Sequence, residues 1–208
     1  MTWNVRSLRD DARGVARLMR AVAPDVVLVQ EAPRLWRWRS ACARLAREAG
    51  LVVVTGGRPA AGNLVLCAMR VRVVSSQDVL LPRRPGLHQR GAATAVLEID
   101  GRQVSVLGTH LDLDPAARLE SARALRVSSY DVIGADVNEE PGGPAWSALS
   151  AGLVDVADGL GPTFSVASPR RRLDGLFVPP SWRVERVEVV ECGPVSDHKP
   201  IVAHLTLS

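Results

Sequence analysis

Short apolar runs alternate with segments of helical periodicity through much of the chain, which is the pattern of an α/β protein. The first helical segment has apolar residues at the i, i+3, i+4 and i+7 positions, namely Val15, Leu18, Met19 and Val22. The second has an apolar seam closed by Gly50, namely Leu35, Trp38, Cys42, Leu45 and Ala49. Strands are predicted around these two helices, at residues 1–5, at residues 26–30 and from Leu51 onward.

The middle of the chain, from Asn63 to Thr109, has strand patterns without an intervening helix. Asp100-Gly101 separates two apolar runs there and predicts a two-residue hairpin turn. Further helices are predicted at 115–127 and 145–150, and further strands at 130–135, 173–178, 183–190 and 201–207. These elements predict an α/β (α+β) fold in which two mixed β-sheets pack face to face with helices on the outer faces.

Composition limits the class of protein. The chain has 208 residues, 47% of them apolar, and no segment resembles a linker, so a single domain over residues 1–208 is expected. The apolar runs are strand-sized, so no stable membrane insertion is expected. No signal-peptide pattern is visible, and the three cysteines lack metal-binding spacing and are expected to be reduced, mostly buried thiols. The cytoplasm is the expected compartment.

The net charge of +4 at pH 7 and the pI near 9.6 fit an anionic partner, such as nucleic acid, phospholipid or a phosphorylated metabolite. However, Lys199 is the single lysine among 26 basic residues, so a general preference for arginine explains the charge equally well. The charge alone does not select a partner.

Polar side chains that can bind a metal or a phosphate stand where the predicted strands stop. They are Asn4, Glu31, His110, Asp112, Asp136, Asn138, Asp174, Asp197 and His198. Taken singly, each has an ordinary explanation as a turn residue, an N-cap neighbour or a hydrogen-bonded core residue. Taken together they predict a metal site, because carboxylates brought close to one another need a cation to neutralise them. Oxygen ligands favour Mg²⁺ or Mn²⁺, and the absence of a cysteine disfavours zinc.

Six segments carry these residues in order: Thr2-Trp3-Asn4, Gln30-Glu31, Gly108-Thr109-His110-Leu111, Gly134-Ala135-Asp136-Val137-Asn138, Arg172-Leu173-Asp174 and Ser196-Asp197-His198-Lys199-Pro200. The set resembles the endonuclease/exonuclease/phosphatase superfamily, which has the deoxyribonuclease-I-like fold. The resemblance runs from the first predicted strand to the last. It implies a four-layer α/β sandwich, divalent-metal-dependent cleavage of phosphoester bonds, and a site on the rim of the two sheets.

The resemblance implies that Glu31 is the principal metal ligand and that Asn4 and Asp197 complete or support the coordination of Mg²⁺ or Mn²⁺. This chemistry is reasonable for phosphate esters. A phosphodiester anion repels hydroxide, so in-line displacement needs a metal that neutralises the phosphoryl oxygens, a positioned water and a nearby acid.

The remaining matches are implied to be catalytic. Asp136 would align or deprotonate the attacking water, and Asn138 would hold a phosphate oxygen. His198, oriented by Asp174, would act on the water or on the phosphoryl oxygens. His110 would hydrogen-bond the phosphate or assist departure of the leaving oxygen.

Candidate substrate contacts are Asn63, His88, Arg90 and Arg172. The Gly62-Asn63 pair looks like the family's Gly-Asn pair at the start of a strand. Many relatives carry a glutamate three residues before the glycine of an Arg-Gly pair, where it orients the first catalytic histidine. Here His88 occupies that position before Arg90-Gly91, which leaves the partner of His110 open. The alternative to a substrate contact is that His88 is an exposed histidine of a loop.

Two further features also have two explanations. The run Arg170-Arg171-Arg172 would grip phosphates beside Asp174, or it is a solvated face of an arginine-rich chain. Trp36 follows closely after Glu31 and would stack a base or a lipid headgroup, or it is an ordinary surface tryptophan.

The first functional prediction is a metal-dependent phosphoesterase that acts on a phosphate-ester substrate, as a nuclease or a general phosphodiesterase. The first alternative is a phosphatase or a phospholipid or inositol phosphoesterase with a small or membrane-borne substrate. The second alternative is a non-catalytic binding module, but a protein that only binds would not need all of the matching residues. The sequence leaves the substrate, the number of metal ions and the oligomeric state open.

Overall fold

The structure is a computed structural model that describes residues 1–206, and these residues contain twelve strands and four α-helices. The first third holds β1 (Thr2–Asn4), α1 (Ala12–Val22), β2 (Val26–Gln30), α2 (Trp38–Ala49), β3 (Val52–Gly57) and β4 (Asn63–Cys67). The rest holds β5 (Arg72–Leu80), β6 (Gly91–Ile99), β7 (Arg102–His110), α3 (Pro115–Leu125), β8 (Val132–Asp136), α4 (Pro144–Leu149), β9 (Val154–Asp155), β10 (Asp174–Val178), β11 (Arg183–Val189) and β12 (Ile201–Thr206).

The strands form two sheets of six strands each. The first sheet has the order β11-β12-β1-β2-β4-β3, and the second has the order β5-β6-β7-β8-β10-β9. Each sheet is mixed. In the first sheet the central pair of β1 and β2 is parallel, in the second sheet the central pair of β7 and β8 is parallel, and all other pairs are antiparallel. A helix makes each parallel crossover, α1 in the first sheet and α3 in the second. The prediction of two mixed sheets is confirmed.

The helices cover the outer faces of the sheets, two on each. Helices α1 and α2 bury an apolar stripe, which includes Met19 and Leu45, against the first sheet. Helices α3 and α4 bury Leu125 and Trp146 against the second sheet, where the Trp146 ring meets Phe177 edge-on at a centroid distance of 5.4 Å. The layers are therefore helix, sheet, sheet and helix, which confirms the predicted four-layer sandwich.

The two sheets approach each other closely at Gly134 of β8. A Cβ atom at this position would lie 2.8 Å from Leu28 Cδ1 and 2.8 Å from the hydroxyl of Thr2, both on the first sheet. The Gln30 amide also crosses between the sheets and donates to the Gly134 carbonyl at 3.3 Å. Only glycine permits this close approach of the two sheets. The approach brings side chains at the ends of the neighbouring strands into direct contact.

The first and last strands of the chain are neighbours, because β1 lies between β12 and β2. The indole of Trp3 donates to the backbone carbonyl of His198 at 2.8 Å, across 195 positions of sequence. The hydroxyl of Ser196 donates to the carbonyl of Asn4, also at 2.8 Å. The two ends of the chain are thus joined at the rim where β1 ends.

Most predicted element bounds agree with the structure to within two residues. The hairpin is confirmed, with φ values of 49° at Asp100 and 78° at Gly101 that a two-residue turn requires. The start of the second helix was predicted wrongly, because Arg37 adopts a left-handed conformation and Leu35 lies before the helix, 76% exposed. Strand β9 was missed, since two residues carry no periodicity. Leu207, predicted in the last strand, lies outside the described residues.

Within residues 1–206, no helix has the length and apolar character needed to cross a membrane. The cysteines Cys42, Cys67 and Cys192 are free and buried, which confirms the prediction of buried thiols. Burial raises the pKa of the Cys42 thiol to about 11, so this side chain is an unreactive part of the core.

Candidate active site

Strand direction brings the predicted polar residues to one rim of the sandwich. The residues at or directly after the ends of β1, β2, β7 and β8 are Asn4, Glu31, His110 and Asp136. Asp174 instead begins β10, which is antiparallel to β8 and places it opposite Asp136. His198 precedes β12, which is antiparallel to β1. Since the start of an antiparallel strand lies beside the end of its neighbour, these residues share one edge.

Asn4 connects the two sheets at this rim. Its side-chain amide donates to Asp136 Oδ2 at 2.8 Å and to Glu31 Oε1 at 3.1 Å. The side-chain oxygen Oδ1 of Asn4 accepts a hydrogen bond from the backbone N–H of Arg6 at 3.0 Å, which fixes the orientation of the amide. Glu31 has a left-handed backbone with φ of 50°, and its half-buried carboxylate is open toward solvent. One buried and one accessible carboxylate are thus held side by side.

His110 lies between these carboxylates, with Nε2 3.4 Å from Asp136 Oδ2 and Nδ1 3.8 Å from Glu31 Oε1. Asn138 places its side-chain nitrogen 2.8 Å from His110 Nε2 and donates from the same nitrogen to the carbonyl of Leu111 at 3.0 Å. An amide nitrogen only donates, so His110 Nε2 accepts and the imidazole is neutral. Burial lowers the pKa of His110 to about 4, which agrees with this assignment.

His198 forms a buried pair with Asp174, with 2.8 Å between His198 Nδ1 and Asp174 Oδ2. Its other nitrogen, Nε2, lies 3.7 Å from Asp136 Oδ2. Burial alone would lower the pKa of His198, but the carboxylates of Asp174 and Asp136 outweigh it and raise the pKa to about 10. The ring of Phe164 packs on the imidazole at a centroid distance of 4.7 Å. His198 is therefore held in place as a charged donor that points toward Asp136.

Asp136 is the centre of this arrangement and is 1% exposed. Burial would raise the pKa of its carboxyl, but the neighbouring histidines and the donors Asn4 and Asn138 keep the pKa below its usual range. Burial and the charge of Asp136 instead raise the pKa of Asp174. An ionised carboxylate thus stands between a neutral imidazole and a charged one, which provides separate proton-accepting and proton-donating groups in one site.

One set of side chains has the composition and spacing of a cation site. Asp136, Asp174 and His198 each place one ligand atom so that all three lie within 4.8 Å of one another. Among the described residues, Asp174 Oδ1 is buried and has no hydrogen-bond partner. An unpartnered carboxylate oxygen fits a nearby cation, but the charged imidazole of His198 has no lone pair free to ligate one.

The predicted metal ligands Asn4, Glu31 and Asp197 lie beside this set. Asp197 pairs with Arg6, whose Nε lies 3.3 Å from Asp197 Oδ2, while Asp197 Oδ1 has no partner within residues 1–206. The Arg6 guanidinium also interacts with the carboxylate of Glu31. Arg6 therefore stands between two of the three predicted ligands, and their assignment to the metal stays a prediction.

Two of the predicted substrate contacts have protein partners. Asn63 is fully buried and donates to the carbonyls of Ala60 and Gly91 at 2.8 and 2.9 Å. Arg172 is 7% exposed, pairs with Asp155 at 2.8 Å and lies 4.9 Å over the ring of Trp146. These contacts support a structural role for both side chains and give no support to the predicted substrate contact.

The other two predicted substrate contacts lie on the loop between β5 and β6. His88 is exposed, and Arg90 is partly buried, with its Nε 3.4 Å from Asp112 Oδ2. The charge of Arg90 contributes to the low pKa of His110, so this arginine lies close to His110. Contact of His88 and Arg90 with a substrate stays a prediction.

Sequence reasoning missed three residues that shape the site. Arg6 pairs with Asp197, Phe164 covers one face of His198, and the hydroxyl of Thr163 accepts the backbone N–H groups of residues 173 and 174. Arg6 lies two positions after Asn4, and this proximity was an available signal. No local pattern marks Thr163 or Phe164, because their contacts depend on how the segment before β10 folds back onto the rim.

Comparison with solved structures identifies close fold relatives. A mannosyl-6-phosphatase of Bacteroides thetaiotaomicron superposes with a TM-score of 0.84 at 16% identity, covering 99% of this chain and 98% of that one. Danio rerio TDP2, complexed with a single-strand DNA product, superposes with a TM-score of 0.79 at 18% identity, covering 99% of this chain and 97% of that one. An endonuclease/exonuclease/phosphatase of Beutenbergia cavernae superposes with a TM-score of 0.76 at 24% identity, covering 99% of this chain and 70% of that one. At these identities the likeness is one of fold.

The sequence itself matches a family model over most of its length. No curated protein matches the chain. The model of the endonuclease/exonuclease/phosphatase family, however, matches residues 1–198, a range that includes all the rim residues described above. The chain belongs to the endonuclease/exonuclease/phosphatase family.

Proposed function

We propose that the chain is a divalent-metal-dependent phosphodiesterase, acting as a nuclease or a general phosphodiesterase through in-line attack of an activated water. The observation that carries the proposal is the placement of ionised Asp136 between neutral His110 and charged His198. Hydrolysis of a phosphodiester needs a base or aligning group for water and donors for the phosphoryl oxygens. The site contains both within one rim.

The residues of the rim fit a divalent cation such as Mg²⁺ or Mn²⁺. Glu31 is the accessible carboxylate, Asn4 contacts it, and Asp197 has a buried oxygen without a partner among the described residues. We assign these three residues to the cation. When bound, the cation supplies positive charge that neutralises phosphoryl oxygens and the leaving oxygen.

The chain's own groups then have distinct tasks. Asp136 accepts a hydrogen bond from the attacking water and orients it, because Asn4 and Asn138 fix the position of its carboxylate. His198 keeps its proton through Asp174 and donates from Nε2 to a phosphoryl oxygen. Asn138 holds His110 and donates to the phosphate when the substrate displaces that contact. His110, which stays neutral because burial lowers its pKa to about 4, hydrogen-bonds the phosphate or assists departure of the leaving oxygen.

A phosphatase with a small substrate is the second candidate. The Bacteroides mannosyl-6-phosphatase covers the same length as this chain, so a fold of this size suffices for hydrolysis of a sugar phosphate in that protein. A small or single-stranded substrate fits an open rim of this kind.

The experiment is a substrate panel at fixed Mg²⁺ or Mn²⁺. It comprises bis(p-nitrophenyl) phosphate, p-nitrophenyl phosphate, single- and double-stranded DNA, RNA and phospholipid and inositol phosphoesters. Turnover of the diesters that is lost with EDTA and with Asp136→Asn supports the proposal. Turnover of monoesters alone selects the phosphatase, and turnover of nothing in the panel leaves the non-catalytic binding module.

A further inference from the structure

A short segment rich in arginine and tryptophan follows Glu31 on the active-site rim. Residues 34–39 read Arg34-Leu35-Trp36-Arg37-Trp38-Arg39, which we call the Arg–Trp segment. No acidic residue lies between Glu31 and Glu48. Three arginines near the rim pair with carboxylates, namely Arg84, Arg90 and Arg172, whereas Arg171 lies over the ring of Phe164. Within residues 1–206, the three arginines of the Arg–Trp segment form no salt bridge, so its positive charge is not compensated locally.

The Arg–Trp segment is anchored at both ends and open in the middle. Trp38 is half-buried against the core and lies over Gly57, where a Cβ atom would come within 2.5 Å of the indole. The Arg39 guanidinium stacks on the Trp38 ring at 4.4 Å. Arg34 donates to the carbonyl of Ala61 at 3.5 Å. Between these anchors, the Trp36 side chain is 93% exposed.

The segment is close to the predicted metal ligands. A Cβ atom at Gly62 would lie 3.6 Å from Arg34 Cδ and 3.9 Å from Glu31 Cα, so the Arg34 side chain passes beside Glu31. The five residues from Glu31 to Trp36 reach at most about 18 Å. Stacked nucleotides rise about 3.4 Å each, so a strand held at the site reaches Trp36 within about five nucleotides.

We propose that the Arg–Trp segment binds a single-stranded polynucleotide that leads into the active site, with one base stacked on Trp36 and neighbouring phosphates on Arg34, Arg37 and Arg39. The reaction at the end of that strand rests on the proposed function, whereas the binding does not. An exposed indole offers a free face to any unpaired base, and unpaired arginines release counterions from the phosphates they contact. A duplex buries its base faces in its own stack, so the segment selects unpaired strands.

The spacing of the side chains disfavours a membrane surface as the partner. A membrane-binding element presents a continuous apolar face with its charges on the other side. Here arginines flank the apolar pair of Leu35 and Trp36 directly, and the next aromatic residue, Trp38, turns toward the core. One exposed ring between cations matches one base between phosphates.

The test measures binding of fluorescein-labelled dT12 in EDTA, with probe integrity checked on a gel. We expect Trp36→Ala to weaken binding about 5- to 150-fold, the range for loss of one stacked base, and Trp36→Phe to retain most of the affinity. An abasic strand of equal length and charge is expected to bind the wild type and Trp36→Ala equally. The thermal unfolding midpoint of Trp36→Ala is expected to match that of the wild type, which shows that the fold is intact.

The charge is tested by the salt dependence of the same binding. Replacing Arg34, Arg37 and Arg39 with alanine is expected to reduce the slope of log affinity against log salt by about two units, at about 0.7 per phosphate contact. The matched control replaces Arg13, Arg44 and Arg47, which are exposed on α1 and α2, and is expected to leave the slope nearly unchanged.

Two results overturn the proposal. One is equal affinity of the wild type and Trp36→Ala for dT12, and the other is binding of the wild type to anionic phospholipid vesicles but not to dT12. The phosphodiesterase proposal fails separately, if the wild type does not hydrolyse any diester with Mg²⁺ or Mn²⁺. The binding result decides the role of the Arg–Trp segment in either case.

Discussion

The side-chain amide of Asn4, on one sheet, donates a hydrogen bond of 2.8 Å to Asp136 Oδ2, on the other. Asn4→Ala leaves this buried carboxylate without one of its donors, so we expect the free energy of unfolding to fall by about 1–3 kcal/mol. Turnover is expected to fall as well, because Asp136 loses its fixed orientation. Urea denaturation measures the first effect. The control is Thr55→Ala, which removes an exposed bond between the sheets to Asp78 and is expected to cost less than about 0.5 kcal/mol.

The Asp174–His198 pair predicts a graded loss of activity. His198→Ala is expected to lower turnover by about 10²-fold or more, as for loss of an acid–base group. Asp174→Asn keeps the imidazole in place but removes the charge that favours its protonation, so the pKa of His198 falls and activity is lost at lower pH than in the wild type. The pH profile of turnover measures this shift. Wild-type rates in both variants would remove the pair from the mechanism.

The same pair predicts how stability depends on pH in EDTA. The pKa of His198 is about 10 in the folded chain, against about 6.5 when unfolded, so its charged form stabilises the fold fully below pH 6.5. This contribution disappears as the pH rises toward 10. The difference in unfolding free energy between the wild type and His198→Asn is therefore expected to be larger at pH 6 than at pH 9.5.

Glu31→Gln tests the assignment of the accessible carboxylate to the cation. It removes the charge but keeps the shape, so the Mg²⁺ or Mn²⁺ concentration for half-maximal turnover is expected to rise by about 10-fold or more. Activity at saturating metal is expected to recover at least in part. Metal titration of turnover makes the measurement, with Glu98→Gln, which pairs with Arg72 away from the rim, as the control. An unchanged midpoint would exclude Glu31 as a ligand.

Substitution of Arg172 tests whether this side chain stabilises the fold or contacts the substrate. Arg172→Ala removes the ion pair of the partly buried Asp155 and the contact with Trp146, so a loss of about 1–3 kcal/mol in unfolding free energy is expected. Arg170→Ala, at an exposed neighbouring position, is expected to stay within about 0.5 kcal/mol of the wild type. Normal stability of Arg172→Ala with a raised KM would instead restore the substrate contact predicted from the sequence.

The sequence carried most of the information about the layers of the fold. Apolar periodicity located the helices that cover the sheets, and Asp100-Gly101 located a hairpin, because these signals depend on neighbours along the chain. The error at Leu35 has a physical cause. Leu35 continues the spacing of the α2 seam, but the left-handed backbone at Arg37 begins the helix three residues later.

The rim could be predicted because strand ends concentrate functional groups in a mixed sandwich. Which groups would bind each other could not be predicted. Burial and the charge of Arg90 lower the pKa of His110, whereas Asp174 and Asp136 raise the pKa of His198, and the fold brings these groups from distant positions. The partners of Arg172 likewise depend on a two-residue strand with no sequence signal.

The position of β1 between β12 and β2 sets the order in which a newly synthesised chain acquires its site. Trp3 leaves the ribosome 195 residues before the His198 carbonyl that it binds, a delay of roughly 10–40 s at common elongation rates. During that time one edge of β1 has no strand to pair with, so it is exposed to other unpaired strands or to chaperones. The candidate site cannot assemble before residue 198 has been synthesised, since the pair of Asp174 and His198 belongs to it. The contact between β1 and the segment before β12 thus forms late in synthesis.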